Sequence, residues 1–111
     1  MNDRVIVALD VERMEQAVAL LDRLSQGRIF KVGLQAFLAF GEDLLAELDR
    51  RNKDVFLDLK FKDIPNTVAG AVRSALRFHP RMMTLHLSGG VEMVRQALEA
   101  ARRILETGYG L

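Results

Sequence analysis

Four short apolar runs recur along the chain, beginning at Val5 (VIVALD), Ile29 (IFKVGL), Val55 (VFLDLK) and Met82 (MMTLHL), with starts 24, 26 and 27 residues apart. Each is nearly continuous and rich in Val, Ile, Leu or Phe, the pattern of a strand covered on both faces, and each gives way to a stretch of helical period. The spacing predicts a strand followed by a helix, repeated with every run. After the first run, Met14, Ala17, Val18, Leu21 and Leu24 share one helical face, and Gly27 stands where that helix would end. After the second, Phe37, Leu38, Leu44, Leu45 and Leu48 keep a face, and Gly41 among them predicts a short helical turn ahead of the main helix. After the third, Val68, Val72, Ala75 and Leu76 line a helix that opens near Asn66 or Thr67, and Pro80 stops it continuing. After the fourth, Gly89-Gly90 precede a face of Val94, Ala97, Leu98, Ala101, Ile104 and Leu105, which Gly108 closes.

Strand-helix units in succession require parallel strands joined by right-handed crossovers. An open wound sheet and a barrel segment both satisfy this. The open sheet usually carries a Gly-rich phosphate turn after its first strand, whereas Leu9-Asp10-Val11 has no glycine, which favours the barrel. The expected fold is therefore α/β: four consecutive βα units with parallel strands, half of a (β/α)8 TIM barrel, with residues 1–111 as a single unit. At 111 residues a second domain is excluded.

Composition narrows the function. Sixteen Lys and Arg against fifteen Asp and Glu leave a net charge of +1, which argues against a nucleic acid polymer or a membrane surface as partner. The absence of Cys removes disulfides, thiolate catalysis and Cys-based metal sites, and is compatible with a reducing cytoplasm. The run at Val5 reaches Asp10 too soon for a signal segment, and no 18-residue apolar stretch follows, so a cytoplasmic location is expected.

The strand ends carry the chemistry-bearing residues: Asp10, Lys31, Asp58, Lys60 and His86. Barrel enzymes place their reacting groups at the C-terminal ends of the strands. Isolated charges there are costly to desolvate, so the pattern implies that they pair at one rim; the plainer alternative is that strand ends lie near solvent. The densest segment runs Asp58-Leu59-Lys60-Phe61-Lys62-Asp63. On a regular strand Asp58 and Lys60, two apart, leave on the same side, and Asp63 follows in the loop. A lysine set among carboxylates suits proton donation better than Schiff-base chemistry. Lys31, one strand earlier, extends the array to Lys, Asp, Lys, Asp.

An Asp-x-Lys-x-x-Asp spacing alone arises by chance in charged chains. The longer segment VFLDLKFKDIPNTV, however, closely resembles the signature of the orotidine 5'-phosphate decarboxylase family, and VALD, FKVGL and LHLSGG resemble its first, second and fourth strands in register. The resemblance implies a cofactor-independent, metal-free lyase of pyrimidine biosynthesis that converts orotidine 5'-monophosphate to uridine 5'-monophosphate. It implies that Asp10 holds ribose hydroxyls, that Lys31 bridges the ribose and Asp58, and that Asp58 sits against the orotate carboxylate. Lys60 would deliver a proton to C6, and Asp63 would complete the array across a dimer interface. Ile64 and Thr67 would contact the nucleotide. Relatives acting on 3-keto-gulonate or hexulose phosphates carry Glu, a magnesium ligand, where this chain has Lys31, so a nucleotide monophosphate is the expected substrate.

Other residues carry less. His86 could line the site or serve a local structural bond; His79 beside Pro80 is expected at the surface; and the methionines fill core gaps. Gly89-Gly90 could offer N–H groups to an anion or simply serve a loop. A complete barrel takes about 250 residues. The family's phosphate-gripping loops follow the seventh and eighth strands, and nothing in this sequence matches them. The first and fourth strands are expected to be unpaired edges, which invites a homo-oligomer. The alternative function is a catalytically silent half-barrel, fragment or design, that self-assembles to cover its open core.

Overall fold

A computed structural model describes residues 4–107. The elements alternate as expected: β1 (Ile6–Ala8), α1 (Met14–Arg23), β2 (Ile29–Gly33), α2 (Leu34–Arg50), β3 (Asp54–Phe61), α3 (Pro65–Leu76), β4 (Met82–Leu85), a 3-10 turn (Leu87–Gly89) and α4 (Val91–Thr107). The sheet order is β1-β2-β3-β4, with parallel pairing from β1 to β2 and from β2 to β3. Consecutive strands as neighbours, with no strand skipped, are the order of a barrel rather than of a doubly wound sheet. The chain divides into two compact units, one holding residues up to Leu59 with Pro80–Met83, the other Lys60–His79 with the residues from Thr84 on.

In the first unit one face of the strands is buried, with Val7 of β1 half-buried on it. Leu9, Phe30, Val32, Val55 and Leu57 are at most 6% exposed and form a core with Ala17 and Leu21 of α1 and Ala36, Leu44, Leu45 and Leu48 of α2. The alternate residues Ala8, Lys31, Phe56 and Asp58 fall on the other face. There Ala8 is exposed, and Lys31 and Phe56 are half-buried. On that second face only Ile29 (1% exposed) and Asp58 (8%) are buried, so the double covering expected from the apolar runs is partial. Ile6 and Val5, more than two-fifths exposed, show that an apolar run marks strand propensity as much as double burial.

The helices refine the sequence reading. α1 stops at Arg23, and Gly27 lies four residues beyond in the following turn, where a Cβ would come within 2.7 Å of the Phe30 ring. The interruption foreseen in α2 is present as a kink at Phe40 (φ −157°, ψ 33°), one residue before Gly41. α3 opens at Pro65, with Ile64 as N-cap, rather than at Asn66 or Thr67, because proline suits a first turn whose N–H has no helical acceptor. α4 buries Met93, Ala97, Ala100 and Ile104, while Leu98 and Leu105 of the expected face are more than half exposed. Ala97 and Ile104 of the expected face are buried as foreseen, but the buried row turns toward Met93 and Ala100 rather than toward Leu98 and Leu105. Gly108 lies outside the described residues.

The opposite ends of the first unit's strands are latched by charge. Lys53 Nζ donates to the carbonyls of Ser25 (2.6 Å) and Gly27 (2.7 Å), and the Asp54 carboxylate takes Arg81 at 3.0 Å and Arg28 at 3.4 Å.

Candidate functional site

The register places the first unit's charged residues in adjoining rows. Ala8, Lys31 and Phe56 are successive Cα partners across β1, β2 and β3, and Gly33 partners Asp58. Two residues beyond Lys31 and Phe56, Gly33 and Asp58 therefore share their face of the sheet. Leu9 N–H donates to Lys31 C=O at 2.9 Å, which carries β1's alignment up to Asp10. A Cβ on Gly33 would lie 3.9 Å from Asp10 Oδ1 and meet nothing else within 4 Å. Asp10 and Asp58 thus flank a residue without a side chain.

Lys31 Nζ lies 3.6 Å from Asp58 Oδ2. Asp58 is the one buried charged residue among those described, 8% exposed. A carboxylate withdrawn that far from water needs a cation close by, and the Lys31 side chain, 28% exposed, provides it while keeping contact with solvent. Asp10 is exposed beside them. The first unit therefore brings together Asp10, Lys31 and Asp58.

In the second unit Lys60 is exposed near the end of β3 with a left-handed backbone, φ 51°. The regular alternation from which Asp58 and Lys60 were expected on one side is therefore interrupted at Lys60 itself. Its N–H donates to Thr84 Oγ1 at 3.0 Å. Asp63, Ile64 and Thr67 gather at the start of α3: Asp63 Oδ1 accepts the Ile64 N–H at 2.7 Å, and Ile64 C=O accepts the Thr67 N–H at 3.0 Å. All three are exposed, Ile64 by 67%. The turn presents an acid, an apolar side chain and a hydroxyl to solvent.

His86 has a local role. Its Nδ1 accepts the Ser88 N–H at 3.3 Å and lies 2.6 Å from Ser88 Oγ, capping the 3-10 turn. The two glycines that follow have structural reasons as well: a Cβ on Gly89 would collide with the Met93 side chain, and Gly90 has φ 98°. Among the described residues no three His, Asp or Glu side chains are grouped to hold a metal, and no helix is long and apolar enough to cross a membrane. Thr84 was not singled out from sequence. Its signal was available, as the polar residue inside the strand sequence MMTL.

The profile of the Orotidine 5'-phosphate decarboxylase / HUMPS family matches residues 3–107. The chain is 52% identical over 99 residues to the orotidine 5'-phosphate decarboxylase of Gloeothece citriformis, covering 89% of this chain and 43% of that protein. It is 49% identical over 107 residues to that of a Nostoc species, covering 96% and 43%. The crystal structure of orotidine 5'-phosphate decarboxylase from Lactobacillus acidophilus superposes with a TM-score of 0.79 at 35% identity, over 86% of this chain and 44% of that one. The chain spans less than half the length of these relatives. With its parallel strands in consecutive order and its profile match over nearly every residue, the chain belongs to the orotidine 5'-phosphate decarboxylase / HUMPS family.

Proposed function

We propose that residues 1–111 act as one (β/α)4 half-barrel unit that contributes the reacting end of a decarboxylase for orotidine 5'-monophosphate. The observation that carries this reading is the Lys31–Asp58 pair, 3.6 Å apart on the strand face opposite the first unit's core, with Asp10 near Gly33. A lysine committed to Asp58 occupies the position at which sugar-phosphate relatives would need a metal-binding glutamate, which supports a nucleotide substrate. In the reaction the bond from C6 to the carboxyl carbon breaks, carbon dioxide leaves, and the electron pair stays on C6. The Lys60 ammonium gives its proton to that carbon and recovers one from water. A fixed cation at C6 is worth more as negative charge develops than before, so it lowers the barrier. Asp58 would crowd the departing carboxylate, Lys31 and Asp10 would hold the ribose, Asp63 would complete the charged array across a dimer interface, and Ile64 and Thr67 would contact the nucleotide.

Disappearance of orotidine 5'-monophosphate absorbance tests the reading, with the purified chain alone and mixed with the remaining barrel segment of a relative. Turnover abolished by Lys60→Ala is the expected result. An unchanged rate in that variant overturns the assignment, and a silent chain in both mixtures favours the self-assembling alternative. We further propose that the chain works as a homo-oligomer. The apolar edge at Val5 and Ile6, and the separate row of Val91, Leu98 and Leu105 on α4, are surfaces that a second copy would cover. A cysteine-free sequence supports a cytoplasmic setting.

A further inference from the structure

Lys60 adopts a conformation that its own residue type does not favour. With φ 51° it sits in the left-handed region, where a Cβ crowds the backbone, and it does so inside β3 rather than in a turn. The hydrogen bonds around it show how the strand accommodates this. In a regular strand the N–H of one residue and the C=O of the next point toward opposite neighbours. Here the Lys60 N–H goes to Thr84 Oγ1 at 3.0 Å, and the Phe61 C=O accepts the His86 N–H at 3.0 Å, so both groups face β4. The strand has turned over between the two residues, as at a bulge whose first residue is left-handed.

The acceptor at this point is a side-chain hydroxyl, where a ladder would use a main-chain carbonyl. A hydroxyl reaches farther from its own strand than the backbone does, and it can meet an N–H that the turn has carried out of step. Valine would fill the same half-buried volume in β4 and satisfy strand propensity equally well, but it offers no acceptor. We propose that Thr84 is a positioning residue, whose hydroxyl holds Lys60 in its left-handed conformation and thereby sets the direction in which the ammonium leaves β3. The catalytic consequence rests on the reading of Lys60 as the proton donor; the conformational claim does not.

Amide hydrogen exchange and backbone chemical shifts of the whole chain, compared between wild type, Thr84→Val and Thr84→Ser, test the proposal. In Thr84→Val the Lys60 amide exchanges roughly fivefold to tenfold faster, as expected when one hydrogen bond is lost, and its Cα and Cβ shifts move away from left-handed values. In Thr84→Ser both stay near wild type. Unchanged exchange and shifts at Lys60 in a folded Thr84→Val chain overturn the proposal. Should valine prevent folding, Thr84→Ala against Thr84→Ser makes the same comparison. In the decarboxylation assay, Thr84→Val lowers kcat with little change in KM, and serine restores it; an unchanged kcat alongside moved shifts overturns the positioning role. Absence of turnover in the wild type counts against the proposed function, while the exchange rates still decide the conformational claim.

Discussion

Lys31 and Asp58 meet across the β2–β3 boundary on a diagonal: Lys31 has Phe56 as its Cα partner, Asp58 has Gly33, and the 3.6 Å between Nζ and Oδ2 spans that two-residue offset. A long, flexible side chain on one strand thus reaches a short, rigid one further along the next. The carboxylate is fixed by burial, and the ammonium comes to it.

Replacing Lys31 with Met removes the ammonium that lies 3.6 Å from the buried Asp58 carboxylate. Breaking a fully buried pair costs about 3–5 kcal/mol. Lys31 retains contact with water, so the expected loss is about 1–2 kcal/mol, after discounting for screening. Urea denaturation of the variant measures it, and an unchanged midpoint shows that Asp58 is held by its other contacts alone.

Gly33 separates stability from binding. Its φ of −92° suits any residue, and a Cβ meets only Asp10 Oδ1 at 3.9 Å, so neither backbone nor packing demands glycine. Gly33→Ala is expected to fold with stability within about 1 kcal/mol of wild type, as reduced freedom of the unfolded chain offsets a poorer N-cap for α2. The added methyl projects toward Asp10, so binding of uridine 5'-monophosphate, followed by calorimetry, is expected to weaken. Undiminished affinity would place the ligand elsewhere.

Much of this could be read in advance. The alternation of elements follows from apolar runs separated by helical periods, and the kink in α2 follows from Gly41. The meeting of Lys31 with Asp58 follows from their place at neighbouring strand ends. The conformation of Lys60 was not legible, because period-two reasoning assumes the regularity that a left-handed residue breaks. On α4 Ala97 and Ile104 were foreseen, and Met93 and Ala100 were missed for a different reason. Two adjacent apolar rows satisfy the same helical period, and only the position of α3 chooses Met93, Ala97, Ala100 and Ile104.

Acid weakens α2. The Arg51 guanidinium, hydrogen-bonded at 2.6 Å, holds the Glu47 carboxyl below its ordinary value against the opposing effect of partial burial, and Arg50 adds to the lowering. A carboxyl lowered in the folded state contributes stability above its unfolded value, about 4.3, and loses it as pH falls through the folded one. Thermal melts taken downward from pH 5 are expected to lose stability more steeply in wild type than in Glu47→Gln. Parallel slopes refute the contribution.

The exposed row on α4 makes association measurable. Leu98→Glu and Leu105→Glu replace side chains 58% and 57% exposed, so each is expected to change stability by no more than about 0.5 kcal/mol. Sedimentation velocity is expected to show a concentration-dependent oligomer in wild type and a lighter species in the double variant. A wild type that sediments as a monomer at every concentration excludes the homo-oligomer.

The Lys53 bridge to Ser25 and Gly27, with Arg28 and Arg81 on Asp54, anchors the first unit at the end of the strands away from Asp10 and Asp58. The Lys53 anchorage and the Lys31–Asp58 pair thus lie at opposite poles of the same strands. Substitutions at the Asp10 pole therefore leave the clamp by which Lys53 ties the chain before β3 to the turn before β2 in place, so the two ends of the strands can vary independently.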